Sequence, residues 1–78
     1  MDAATIDLPP AQADLLRFAA ANDGCIHVGG HMPPAERKAA DALVRRGMLT
    51  IGSGLYGASR RDVTVNGRAW LAAHPEEF

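Results

Sequence analysis

Prolines and glycines divide this 78-residue chain into segments that each have room for one helix or one strand. Proline is favoured in the first turn of a helix, because an N–H group at that position would have no helical partner. Glycine just after a helix takes the left-handed conformation that ends it. The proline pairs at 9–10 and 33–34 therefore open two helices, which end shortly before Gly24 and Gly47.

Three short runs of β-branched and apolar residues are typical of strands. They cover 25–28, 48–51 and part of 62–65. The glycine-rich stretch 52–62 joins the second run to the third and predicts a hairpin with Arg60 and Arg61 at its tip. Thr64 is a favourable N-cap, so we expect a third helix to follow it and to end at Pro75.

Apolar residues at helical spacing predict which face of each helix enters the core. Phe18 and Trp70 are the largest of these residues, and we expect both to be core anchors. The predicted stripes are Leu15, Phe18, Ala19 and Asn22 in the first helix, Ala35, Ala39, Ala42 and Leu43 in the second, and Ala69, Trp70 and Ala73 in the third.

The order of the elements predicts one α+β domain. Helix, strand, helix, strand, strand and helix close a three-stranded antiparallel sheet against three helices around a single core. We expect this winged-helix-like domain over 8–75, a frayed terminus over 1–7 and a tail over 76–78. Apolar runs of about four residues are far shorter than a membrane span, and no secretory signal begins the chain, so a cytoplasmic location is expected.

Charge is distributed unevenly along the chain. The net charge is only −1, but residues 33–61 hold six basic and two acidic residues, and the segments on both sides are acidic. Basic residues concentrated in one region are typical of nucleic-acid contact, although a solvated helix face has the same pattern. The six basic residues form the candidate site: Arg37, Lys38, Arg45, Arg46, Arg60 and Arg61.

Cys25, His27 and His31 have a spacing that can bring three metal ligands together. A zinc site needs four ligands held by supporting contacts, so a buried thiol and two ordinary histidines are the preferred interpretation. The sequence also lacks a nucleophile–base pattern, paired carboxylates and a phosphate-binding glycine loop. We therefore predict no enzymatic activity, no bound metal and no cofactor.

Three segments resemble the winged helix-turn-helix domain of MarR-like and PadR-like regulators. Residues 42–49, ALVRRGML, are similar to the family's join between recognition helix and wing. Residues 63–71, VTVNGRAWL, are similar to the close of the wing into the last helix, and 8–16 look like the first helix. The chain departs from the family between Gly29 and Gly47, where only one helix fits and the positioning helix is missing or reduced to a single turn.

The resemblance implies a small DNA-binding transcriptional regulator that contacts duplex DNA with the 34–46 helix and the basic 52–62 hairpin. In such a complex, the cations at 37–38 meet base edges and those at 45–46 meet phosphates. The cations at 60–61 reach the DNA backbone or the minor groove.

The resemblance also leaves the partner open. A homodimer would double the DNA contacts and fit a palindromic site. The alternative is a protein-protein interaction module on the same scaffold, which the low net charge and the shortened helix-turn-helix favour. Such a module would be an adaptor, a subunit or a small inhibitor of the kind that mobile elements encode.

Overall fold

We describe the protein from a computed structural model, which describes residues 3–52 and 59–75. A short 3₁₀ turn at Ala3–Thr5 comes before three helices and three strands. They are α1 (Pro10–Ala21), β1 (Cys25–His27), α2 (Pro34–Arg45), β2 (Leu49–Ile51), β3 (Arg60–Val63) and α3 (Val65–Ala73). The predicted α+β order, α-β-α-β-β-α, is confirmed. Over these ranges, no helix is both long enough and apolar enough to cross a bilayer.

Proline begins the first two helices, as predicted, and a glycine follows the end of each. Pro10 and Pro34 are the first residues of α1 and α2. Gly47 follows the C-cap of α2 with a φ angle of 77°, in the left-handed region that favours glycine. After the C-cap of α1, the first left-handed residue is Asp23, with a φ angle of 58°, and Gly24 follows it at 79°. The second helix is one residue shorter than predicted, because Arg46 is its C-cap.

The strands form one antiparallel sheet in the order β1-β3-β2, so β3 is the central strand. Within β3, Arg61 lies opposite both Ile26 of β1 and Ile51 of β2. The prediction that Arg60 and Arg61 lie at a hairpin tip is wrong, because pairing on both edges extends β3 back to Arg60. The rest of the predicted loop, at 53–58, lies outside the described residues.

The core lies between the helices and one face of the sheet. Leu16, Leu43, Met48 and Leu49 are fully buried at its centre and come from α1, α2 and the start of β2. Trp70 of α3 is 3% exposed, so its predicted role as a core anchor is confirmed. Residues from every helix therefore share a single core.

Phe18 is not the core anchor that its spacing predicts. It is 61% exposed, whereas Leu15, Leu16 and Ala19 of the same helix are buried. Successive residues are rotated by about 100° around a helix, so Phe18 lies about 60° beyond Leu15, outside the buried stripe. The face of α1 that enters the core is therefore rotated away from Phe18, toward Leu16 and Ala13.

The buried faces of the other two helices are also shifted from the predicted ones. The buried residues are Ala39, Ala40 and Leu43 in α2, and Gly67 and Trp70 in α3. The predicted Ala35, Ala69 and Ala73 are exposed instead, as is Asn22 at the end of α1. Alanine is small enough to occur on either side of a helix, so its spacing alone does not identify the buried side.

The chain passes from β3 to α3 through Thr64, whose predicted role as N-cap is confirmed. Its hydroxyl oxygen accepts a hydrogen bond from the Gly67 N–H at 3.0 Å, and its hydroxyl group donates to the Gly47 carbonyl at 2.5 Å. The Thr64 N–H donates to the Met48 carbonyl at 3.0 Å. The start of α3 is therefore held directly against the join between α2 and β2.

The segment before α1 packs against α3. Ala3 and Ile6 are partly buried against the core, and Leu8 is 7% exposed. The indole Nε1 of Trp70 donates a hydrogen bond to the Ile6 carbonyl at 2.6 Å. These contacts hold the described part of segment 1–7, for which the sequence predicts fraying, against the last helix.

Candidate nucleic-acid interface

The solvent-exposed side of α2 and its C-cap carry four of the six predicted basic residues. Arg37, Lys38, Arg45 and Arg46 are all exposed, and the opposite side of the helix enters the core. Arg37, Asp41 and Arg45 follow at i, i+4 spacing, so the charged face runs along the whole helix. Among the described residues, none of the four cations makes an ion pair within 4.0 Å. Their charges therefore face solvent.

Arg60 and Arg61 lie on opposite faces of the sheet, because neighbouring residues of a strand alternate. Arg60 shares its face with Asp62, and its Nε lies 3.2 Å from the Asp62 carboxylate. Arg61 shares its face with its cross-strand neighbour Ile26, on the side that packs against the helices. The basic pair seen in the sequence is thus divided by the strand geometry.

Arg61 and Arg37 line the same hollow, of about 440 Å³, although they belong to β3 and α2. Ser59 and the glycine pair at 29–30 also line this Arg37–Arg61 hollow, and Asp41 is the acidic residue in its wall. Guanidinium groups present several N–H donors in a planar fork that suits phosphate oxygens. Two cations against one carboxylate leave the hollow with a positive charge that favours an anion.

A single turn connects β1 to α2. The N–H of Met32 donates to the Gly29 carbonyl at 3.0 Å, and no helix occupies 28–33. Met32 is 8% exposed, so its side chain ties this turn to the core just before Pro34 opens α2. The orientation of α2 therefore depends on the packing of its own buried face and on Met32, with no further helix between β1 and α2.

Cys25, His27 and His31 do not gather into a metal-binding group. Within 3–52 and 59–75, no three His, Cys, Asp or Glu side chains lie close enough together to hold a metal ion. Cys25 is a half-buried free thiol, and both histidines are exposed. The two histidines instead lie along the rim of an open groove.

This groove, of about 710 Å³, is a surface feature that the sequence analysis missed. It lies between α1, β1 and the first turn of α2, and we call it the α1–β1 groove. Its apolar lining consists of Ala11, Leu15, Phe18, Ile26, Met32 and Pro33. The signal that could have revealed it is the position of Phe18 at the edge of the helical stripe, where the side chain can cover the core or leave it open.

The fold and these surfaces define a small α+β domain with one exposed basic helix. No known protein family, no curated protein and no solved structure matches the chain. The likeness to winged helix-turn-helix regulators therefore rests on the sequence segments at 8–16, 42–49 and 63–71.

Proposed function

We propose that this protein is a small DNA-binding transcriptional regulator that places α2 in the major groove of duplex DNA. The observation that supports this best is that Arg37 of α2 and Arg61 of β3 line one hollow. A helix with its side chains is about 10–12 Å across, and the major groove of B-DNA is about 12 Å wide. The exposed face of α2, with Arg61 of β3 beside it, suits insertion of this helix into the major groove.

The positions of the cations suggest different roles for them. Arg37 and Lys38 belong to the first half of α2, and we assign them to base edges and the adjacent phosphate. Arg45 and Arg46, at the C-terminal end, are assigned to phosphates that fix the orientation of the helix on DNA. Arg61 adds a phosphate contact beside Arg37, which ties the sheet to the same DNA strand.

The net charge of −1 does not oppose this proposal, because charges act on DNA over a limited distance. The screening length is about 8 Å at physiological ionic strength, so a bound duplex responds to the nearest charges rather than to the whole molecule. The exposed side of α2 and its C-cap hold four cations against Glu36 and Asp41. A homodimer would double this set and would fit a palindromic site.

The neighbouring arginines of β3 provide a matched test of the interface. We expect Arg61→Gln and Arg37→Gln to weaken binding to a labelled duplex of ~20 base pairs, measured by fluorescence anisotropy. Each variant should reduce the slope of log K against log salt concentration by about 0.9, because one phosphate contact is lost. Arg60→Gln is the control and should bind like wild type, since Arg60 lies on the opposite face beside Asp62.

Two results would contradict this proposal. One is the absence of wild-type binding at ~50 mM salt, where phosphate contacts are strong. The other is an equal loss in Arg60→Gln and Arg61→Gln. Thermal unfolding of each variant confirms that the fold is retained, and Lys38→Gln tests the same interface at a fully solvent-facing position.

A second candidate function is a protein-protein interaction module on the same scaffold. The observation that favours it is the α1–β1 groove, in which Phe18 remains 61% exposed. Large apolar side chains beside an apolar groove are typical of a surface that another molecule covers. Both functions can coexist, because the groove and the Arg37–Arg61 hollow have different linings.

A further inference from the structure

We propose that the α1–β1 groove is the docking site for an amphipathic helix of another protein, with apolar residues on one side and Lys or Arg at its flanks. This inference rests on the second candidate function and is independent of DNA binding. Three features of the groove support it: its continuity with the core, the hydrogen bonding of the β1 edge, and the charge of its rim.

The groove is the open side of the hydrophobic core. Leu15, Ile26 and Met32 are core residues with 8%, 3% and 8% exposure, and they also line the groove. Phe18 stands beside them and is 61% exposed. An apolar side chain placed in the groove would therefore contact core residues that are already in position and would cover Phe18 without any rearrangement.

The edge of the sheet beside the groove is too short for an added strand. β1 is an edge strand of three residues, and its backbone groups point alternately toward β3 and away from it. At Cys25 the outward groups are already used: its N–H donates to the Asn22 carbonyl at 3.2 Å, and its carbonyl accepts from the Asn22 side chain at 3.0 Å. Only His27 is left in β1 to pair with an incoming strand, so a helix, which satisfies its own backbone, is the favoured occupant.

The rim of the groove is acidic. Asp14 on α1 and Glu36 in the first turn of α2 both line the groove and are exposed. The histidines at 27 and 31 also line it, and among the described residues no Lys or Arg does. The half-buried Arg17 lies 3.8 Å from Asp14, and this loose pair leaves the Asp14 side chain 78% exposed. Basic residues at the flanks of the docking helix would therefore meet opposite charges on both walls.

The same charges argue against a second copy of this chain in the groove. A two-fold interface places the same patch of both copies face to face. Asp14 and Glu36 of one copy would then approach those of the other, and like charges would repel. The partner that matches the apolar lining and the acidic rim of the groove is a different protein, with a basic amphipathic helix.

The test uses the full chain labelled with ¹⁵N and a synthetic helical peptide with leucines at i, i+3, i+4 and i+7 and lysines on its flanks. We expect shift changes on titration at residues 11–18 and 26–36. Phe18→Gln should weaken binding by about tenfold, as loss of a central aromatic contact does. Val65→Gln is the matched control and should bind like wild type, because Val65 is 84% exposed and does not line the groove.

Two further peptides separate the parts of the inference. A peptide with glutamates in place of the lysines should bind more weakly, and one with the same residues in scrambled order should not bind. Asp14→Asn combined with Glu36→Gln should weaken the lysine peptide and bring its affinity closer to that of the glutamate peptide. Equal affinity of the lysine and glutamate peptides for wild type would overturn the proposed basic partner.

The remaining outcomes are also decisive. Shift changes outside the groove, or equal losses in Phe18→Gln and Val65→Gln, would overturn the proposed site. The same shift changes appearing on raising the concentration of the chain alone would show that a second copy occupies the groove. Phe18→Gln should keep wild-type affinity for duplex DNA, because the groove does not contact DNA in the proposed complex. If the wild-type chain binds the peptide but not DNA, the regulator proposal is contradicted and the groove proposal is not.

Discussion

At the scale of single residues, Gly67 shows how one position joins elements that are distant in the sequence. A Cβ at this position would collide with the carbonyl oxygen of Met48 and touch the side chain of Val63. The same Met48 carbonyl accepts the N–H of Thr64. Glycine is needed here for close approach of the backbones, since only Gly24 and Gly47 among the described glycines have a positive φ.

We therefore expect Gly67→Ala to lower the free energy of unfolding by about 1–3 kcal/mol, the usual cost of forcing an extra carbon into a packed site. Chemical denaturation of the variant measures this loss. Gly30→Ala is the matched control, because a Cβ there meets nothing within 4 Å. It should leave stability unchanged or raise it by less than about 1 kcal/mol. Equal effects of the two substitutions would show that the contact with Met48 is unimportant.

At the scale of elements, the faces of α1 and β3 decide which side chains are available for contact. The face of α1 that packs into the core is rotated toward Leu16 and Ala13, so Phe18 is left outside. In β3, alternation places Arg61 in the hollow that Arg37 also lines and leaves Arg60 beside Asp62 on the other face. Each of these outcomes depends on how an element is rotated against its neighbours, which no local pattern specifies.

The rotation of α1 predicts different effects for two of its apolar residues. Phe18→Gln should change the free energy of unfolding by less than about 0.5 kcal/mol, as substitutions at exposed sites do. Leu16→Ala should lower it by about 2–5 kcal/mol, because Leu16 is fully buried and its loss leaves a cavity. Denaturation midpoints of the two variants measure the difference. A large loss in Phe18→Gln would place that side chain in the core after all.

At the scale of the whole molecule, the segment before α1 completes the packing around α3. The bond from the Trp70 indole to the Ile6 carbonyl joins the two ends of the described chain. The guanidinium of Arg17 lies 5.4 Å from the centroid of the Trp70 ring and donates to the His74 carbonyl at 3.1 Å. The His74 ring stacks on Trp70 with 4.2 Å between centroids. Trp70 is thus the point where both ends of the described chain meet α1.

Deletion of residues 1–7 should lower the free energy of unfolding by about 1–3 kcal/mol, because the Trp70 N–H loses its partner and part of the core is uncovered. Trp70 is the one tryptophan in the sequence, so its fluorescence reports on this region alone. We expect its emission to shift to longer wavelength as water reaches the ring. An unchanged emission and an unchanged unfolding midpoint would support the fraying that the sequence predicts.

Much of the architecture follows from local chemistry in the sequence. The start of α1 and α2 at prolines, their ends before Gly24 and Gly47, and the N-cap at Thr64 all depend on groups within a few residues. The order of helices and strands, and the antiparallel sheet, follow from these boundaries. Four of the candidate cations lie together on the exposed face of α2 and its C-cap, because their spacing in the sequence fits one helix.

Which sides of these elements face one another depends on packing in the folded chain and cannot be worked out from local patterns. The convergence of Arg37 with Arg61, the separation of Arg60 from it and the exposure of Phe18 depend on packing between segments far apart in the chain. Proline and glycine act through the backbone of their own neighbourhood, so their effects can be worked out from the sequence. The rotation of a helix or strand is set by the sum of many weak side-chain contacts across the core, which exist only once the chain has folded.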